Sequence, residues 1–372
     1  MIFYLAALFL VFLLAYVAQT KQTVLEDGVI RKTNRIGKLA IAAVCVVLIL
    51  IGGLRKNVGS DFGVYWNFFR GYGSFPGYMN MSLWDTFQAD EGGFWAIATV
   101  VGWFTKDEQV VFFVCQAIIV LCIVPTLAKY SNNLSLSVFL YLATFDYFSS
   151  FNGVRQWVAA AIVFASLPLL KERKMIRYFL LCLFAYTFHN TAILMIPVGL
   201  FVLTKPTSKW NILGLTAVGF LFFFFPSTFE SILGGIVEDK YTQFIDMEGD
   251  GGVNVLRILV AAVPVVLTRV FYRRLYEGEE DKKFLDVLIN LSTVNFVFLF
   301  VATRGTYFAR MGMYVSVSNC LLIPYLLRVF KKESRVPIKA IIMAMFALYL
   351  IMLLPVEAMV LPYQNVFGWK FV

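Results

Sequence analysis

A succession of long apolar runs constrains this chain more than any other feature. They occupy residues 2–19, 38–54, 108–129, 134–150, 154–170, 176–188, 190–204, 209–226, 253–274, 284–303, 306–329 and 337–354. Most approach the roughly 20 helical residues needed to cross a hydrocarbon layer. The expected fold class is therefore an all-α polytopic membrane protein with about 12 transmembrane helices. A hydrophobic fraction of 60% and a mean hydropathy of +0.77 agree with it. No internal repeat, low-complexity tract or soluble domain interrupts the pattern, so residues 1–372 read as a single integral membrane domain.

Lys and Arg are retained on the cytoplasmic side during insertion, so basic loops give the orientation. Arg31, Lys32 and Arg35 mark one inside loop, and Lys171, Arg173, Lys174 and Arg177 a second. Arg273, Arg274, Lys282 and Lys283 mark a third, and Lys331, Lys332 and Arg335 a fourth. With this sorting the cytoplasmic set holds 22 of the 32 basic and 9 of the 23 acidic residues, and the exterior set holds the other 10 and 14. The net charge of +9 thus divides into +13 inside and −4 outside. Topology accounts for the basic balance, which gives no reason to invoke nucleic acid. Both termini are predicted exterior, as are the two longest non-spanning segments, 55–107 and 227–252.

Residues 94–104 are apolar but give only about 16 Å of helix, so they predict a re-entrant or interfacial helix on the outer side. Residues 176–204 are expected as a hairpin, because one long helix kinked at Pro197 would turn the acidic 227–252 loop inward and the basic 273–283 loop outward. The first run has no basic residue before it and a basic loop after it, which reads as an anchor with its N-terminus outside. Cys45, Cys115, Cys122, Cys182 and Cys320 all fall within apolar runs without a CxxC spacing, so they read as small core residues.

The unusual polar residues gather at the ends of runs assigned to the outside. Residues 53–72, GLRKNVGSDFGVYWNFFRGY, present Arg55, Asp61 and Arg70 among glycines and aromatics. That mixture suits a sugar, whose faces stack on rings while its hydroxyls need hydrogen bonds. Trp66, Phe68 and Phe69 read more simply as an interfacial belt. In residues 146–160, DYFSSFNGVRQWVAA, a turn places Arg155 and Gln156 in the first turn of a helix. A cation there faces the positive end of the helix dipole, so an anion is expected to offset it. A phosphate would serve, and the plainer alternatives are a pair with Asp146 or snorkelling to headgroups.

His189, the only histidine, sits at the outer turn of the hairpin. It is either a satisfied structural residue or a general base or phosphate donor. Asp90 and Glu91 precede the short helix, and Glu91 is a candidate base or a helix-capping acid. Arg304 and Arg310 near the start of the 306–329 run would add positive charge for a diphosphate, with headgroup binding as the alternative for each. Nothing resembles a P-loop, a dinucleotide fingerprint, a zinc site or a DxD pair. No cofactor is expected, although lone exterior acids leave a hydrated divalent ion open.

At these residues the chain resembles the EpsG family of bacterial exopolysaccharide and O-antigen polymerases, which are Wzy-like. GLRKNVGSDFGVY, EGGF at 91–94, FNGVRQWVAAAI at 151–162, FHNTAI at 188–193, RGTYFARMGMY at 304–314 and LPYQN at 361–365 carry the resemblance. It implies a GT-C-like glycosyltransferase architecture in the bacterial cytoplasmic membrane. It also implies transfer of a growing glycan from undecaprenyl diphosphate to a hydroxyl of the next lipid-linked repeat unit at the outer face. Asp61, Glu91 and His189 are then the expected catalytic residues, and Arg55, Arg155, Arg304 and Arg310 the diphosphate binders. Asn152, Gln156, Asn190, Tyr65 and Tyr307 are expected to hold substrate, and an apolar groove between helices the lipid tails. Donor and acceptor oligosaccharides on undecaprenyl diphosphate, membrane lipids, a flippase and a chain-length regulator are the partners implied. Two other readings remain: a flippase, which needs charges along a path through the bilayer, and a membrane acyltransferase using His189.

Overall fold

The computed structural model describes residues 1–24, 31–225, 253–279, 281–305 and 307–371. The loop expected at 227–252 lies outside them. The described chain is almost wholly helical, with two short antiparallel ribbons, Gln22–Val24 with Arg31–Thr33 and Tyr363–Gln364 with Lys370–Phe371.

Among the described residues six helices are long and apolar enough to cross a membrane. They are Ile2–Gln19, Arg35–Gly53, Gln109–Tyr130, Val154–Lys171, Lys282–Val301 and Lys332–Leu353. Tyr307–Ser316 and Asn319–Val329, bent by 59°, make a seventh if taken as one span. Gly92–Gly102, Leu134–Ala143, Met175–Tyr186, Asn190–Phe201 and Lys209–Phe224 are apolar but shorter. Several of the apolar runs are therefore broken helices, for identifiable reasons. The 134–150 run breaks where Phe145 takes a left-handed backbone at φ 75°. The 306–329 run bends where the Ser318 hydroxyl turns back onto the Val315 carbonyl at 2.5 Å.

Met175–Tyr186 and Met195–Phe201 fold back on each other, with the Tyr178 hydroxyl donating to the Met195 carbonyl at 2.9 Å. Arg35–Gly53 and Gln109–Tyr130 pack along their lengths, since a Cβ at Gly52 would stand 2.4 Å from Gln116 Cδ. The C-terminal LPYQN motif clamps the end of the first of these helices. Tyr363 donates to the Ile51 carbonyl at 3.1 Å, and the Lys56 amide to the Gln364 carbonyl at 2.8 Å. Val154–Ala165 lies in the middle of the bundle, against Gln109–Tyr130, Met175–Tyr186 and Tyr307–Ser316. Its N-terminus is where the motifs converge.

Candidate functional site

The site is assembled by three turns that local glycine geometry brings together. The first is Phe151–Gly153, on which the GSD segment docks. Gly59 has φ +97°, and a Cβ there would stand 2.6 Å from Asn152 Oδ1, so the close approach requires glycine. Asp61 Oδ2 accepts the Gly153 amide at 2.8 Å, and Asn152 Nδ2 donates to the Ala358 carbonyl at 2.8 Å. Asp61 thereby places its negative charge at the N-terminus of the Val154–Ala165 helix.

The second turn is Asp90–Gly93. Glu91 takes a left-handed backbone at φ 56°, uncommon for a residue with a side chain, and leads into the helix Gly92–Gly102. A Cβ at Gly93 would stand 2.3 Å from Thr187 Oγ1, and the Gly93 amide donates to the Thr187 carbonyl at 3.0 Å. The helix start is therefore pressed against the third turn, Thr187–Asn190. EGG and FHN fit one another, which is why His189 and Asn190 arrive over Glu91.

At the junction Glu91 is buried, with its side chain 3% exposed. Its Oε2 pairs with Arg155 Nη1, and its Oε1 with His189 Nδ1. Oε1 also accepts the Asn190 amide at 3.1 Å. Burial pushes the Glu91 carboxyl up, but the His189 ring, the Arg155 guanidinium and the Asn190 amide together outweigh it and hold it down at about 2. Arg155 lies 5.3 Å from the Trp95 ring centre and 5.9 Å from that of Tyr65, and its Nε donates to the Tyr65 hydroxyl at 3.4 Å. Its side chain keeps 31% exposure, so the guanidinium forms the accessible edge of the cluster. The anion expected beside Arg155 is thus supplied within the protein by Glu91. Asp146 plays a different part, accepting from Thr144 at 2.9 Å and Ser316 at 2.8 Å.

The other expected site residues divide by placement. Gln156 Nε2 donates to the Arg310 carbonyl at 2.8 Å, which sets the first turn of Tyr307–Ser316 beside that of Val154–Ala165. Thr191 and Tyr314 share a hydroxyl hydrogen bond of 3.0 Å, tying in the FHNTAI segment. Asn190 Nδ2 donates to Asp90 Oδ1 at 2.6 Å, and Tyr65 is buried beside Arg155. Arg310 is half-buried, Tyr307 is buried, and Arg304 is exposed with its guanidinium 4.3 Å from the Phe223 ring centre.

Arg55 corrects the expectation of a diphosphate contact. It is 1% exposed, its guanidinium donates to the carbonyls of Gly52 and Phe151, and it packs on the rings of Phe112 and Phe151. It holds the docking turns together and faces no open space. The aromatic residues of 62–69 likewise form core, with Phe62 stacked on Phe112 at 4.5 Å and Phe68 on Trp95 at 4.9 Å.

Trp95 has no place in the sequence-based expectations, although its spacing from Glu91 puts both on one face one helical turn apart. Also unforeseen is a second polar cavity of about 70 Å³ on the other side of the Val154 helix, lined by Asp146, Trp157, Arg257, Asn295, Ser316 and Asn319. Trp157 Nε1, Asn295 Oδ1 and Asn319 Oδ1 have no hydrogen-bond partner there. Its residues come from distant segments, so no local motif announces it. Among the described residues no three His, Cys, Asp or Glu side chains cluster as a metal site would need.

A family model described as the EpsG family matches residues 38–365. No curated protein and no solved structure matches the chain.

Proposed function

The chain belongs to the EpsG family, and from that premise we propose that it is a polysaccharide polymerase of the membrane. In this reading it is one integral membrane domain with about 12 membrane crossings, GT-C-like in architecture, in the bacterial cytoplasmic membrane with both termini and the active site exterior. The donor is a growing glycan on undecaprenyl diphosphate. The acceptor is a hydroxyl of the next lipid-linked repeat unit, and a flippase and a chain-length regulator are the natural partners.

The observation that carries the chemistry is the Arg155–Glu91–His189 cluster. Glu91 beside Nδ1 orients the imidazole, so Nε2 is the nitrogen that takes the proton from the acceptor hydroxyl. The acceptor oxygen then bonds to the anomeric carbon as the bond from that carbon to the phosphate oxygen breaks. Arg155, with Arg304 and Arg310 on the adjoining segment, neutralises the departing diphosphate. Glu91 and Asp61 act here by positioning: both carboxylates are held by hydrogen bonds within the protein, which leaves His189 as the base. Gathering these charges at one helix end suits group transfer better than a transport path. No metal is needed in this scheme.

The direct test is incubation of purified protein in detergent with synthetic polyprenyl-diphosphate repeat units, with and without EDTA. A ladder rising in whole repeats is expected under both conditions. No ladder from the cognate unit would overturn the polymerase reading, and dependence on acyl-CoA would move it to the acyltransferase class.

A further inference from the structure

The polar cavity on the far side of the Val154–Ala165 helix takes no part in the chemistry proposed above. It lies where Tyr307–Ser316 and Asn319–Val329 meet at 59°, beside the 144–149 turn and the helices Val255–Val270, Lys282–Val301 and Arg335–Leu353. Three of its side chains are almost wholly enclosed: Trp157 is 1% exposed, Asn295 4% and Asn319 7%. Among the described residues Trp157 Nε1 has no acceptor, and neither Asn Oδ1 has a donor. Buried polar groups are costly to leave unpaired, so three around one cavity call for a partner inside it.

The groups themselves define that partner. The indole N–H can only donate, and an amide oxygen can only accept. A metal cation would answer the oxygens and leave the indole unpaired, while an anion would meet the Asp146 carboxylate. A neutral hydroxyl donates and accepts, so it answers all three. The 70 Å³ is room for about five waters at 10–15 Å³ each, or for one sugar ring in their place. The lining divides by origin. Asp146, Asn295, Ser316 and Asn319 bring polar atoms, whereas Val260, Ala261 and Pro264 of Val255–Val270 and Phe346 of Arg335–Leu353 are apolar. A sugar ring has the same division, with apolar C–H faces and a hydroxyl edge, which water alone lacks. Arg257, at 32% side-chain exposure and 3.7 Å from Glu357, marks the open side.

We propose that this cavity is a separate recognition site for one uncharged sugar residue, with Trp157 donating to a sugar oxygen and Asn295 and Asn319 accepting from its hydroxyls. The binding stands on these contacts alone. Its use, selecting which repeat unit is accepted, rests on the polymerase reading. One helix turn carries Arg155 to the Glu91 cluster and Trp157 to the cavity, with Gln156 between them tied to the Arg310 carbonyl. Recognition and chemistry thus share one element.

Two variants test it without attacking the fold. Asn295→Leu removes an oxygen that has no partner, so no hydrogen bond to it is lost. Gly312→Ala puts a methyl 3.1 Å from Asn295 Oδ1, with Phe298 Cβ next at 3.9 Å, and so crowds the cavity from another helix. Purified full-length protein, in a detergent without a sugar headgroup, is titrated with free glucose, galactose, mannose, rhamnose, N-acetylglucosamine and N-acetylgalactosamine by saturation-transfer NMR. At least one should bind the wild type saturably, and each variant should bind that sugar about tenfold more weakly while unfolding at the same SDS fraction as the wild type. No saturable binding by any of the six, or variants that bind as the wild type does, would overturn the proposal and leave the cavity to water. Should both variants unfold early, Trp157→Phe, which keeps an aromatic ring and drops the N–H, must weaken the same sugar, and unchanged binding would again overturn it. Because binding needs no turnover, a wild type that binds the sugar here but makes no polymer would refute the polymerase reading alone.

Discussion

Replacing Glu91 by Gln keeps the shape of the side chain and an oxygen for the Asn190 amide at 3.1 Å, but removes the charge shared by Arg155 and His189. The cost follows from the electrostatics. Lowering the carboxyl from 4.5 to about 2 corresponds to about 3 kcal/mol at roughly 1.4 kcal/mol per pH unit. That lies at the lower end of the 3–5 kcal/mol typical of breaking a buried ion pair from one side. The partners are unequal, since Glu91 keeps 3% side-chain exposure, His189 7% and Arg155 31%. Water can compensate Arg155 in part, so a loss of about 2–3 kcal/mol is expected. Unfolding of the purified protein in graded SDS, run on E91Q, on R155Q and on the double variant, should show a coupling between the two of about 1–2 kcal/mol. The same E91Q protein should lose at least about 100-fold in polymer formation, because the carboxylate charge that offsets the proton taken up by the imidazole is gone and an amide NH2 now faces Arg155 in place of Oε2. Stability within about 0.5 kcal/mol of the wild type, together with an unchanged product ladder, would refute the central role given to Glu91.

Gly93→Ala places a methyl 2.3 Å from Thr187 Oγ1 and 2.9 Å from the Thr187 carbonyl. It should part the two turns and cut activity as severely as E91Q while leaving the protein in the membrane; normal ladders would sink the fitted-turn argument. Asp61→Asn keeps an acceptor for the Gly153 amide, so activity should fall less than about tenfold, whereas a catalytic base lost at this position would cost 10²-fold or more. His189→Gln should abolish turnover yet bind a photoreactive donor as the wild type does, and retained turnover would remove His189 as the base. For pH, the Glu91 carboxyl is depressed in the folded state, so its stabilisation is complete above the ordinary carboxyl range of about 4.3. It is lost progressively as pH falls from that range through about 2. The stability difference between wild type and E91Q should therefore hold constant from neutral pH down to about 5 and narrow only below that, and narrowing already near neutrality would contradict the assignment.

The amino-acid sequence determined that this chain is helical and apolar enough for a membrane, because hydropathy along a run is a local property. It also marked the turns that matter. The glycines of GSD and EGG, with the turn of FNG, are visible as motifs, and Arg155 in the first turn of its helix already called for an anion. Tertiary structure alone decided which anion answered. Glu91 stands 64 residues from Arg155 and 99 from Asn190, and no periodicity relates positions so far apart. The same holds for Arg55, whose setting among glycines and aromatics suited an exposed sugar site until the packing of Phe112 and Phe151 enclosed it. It holds too for the apolar runs that break at Phe145 and Ser318, since hydropathy registers the run and not the backbone turn within it. Local chemistry fixes which elements form, whereas the partner of a buried charge is fixed by whichever distant group the packed chain brings within hydrogen-bond reach.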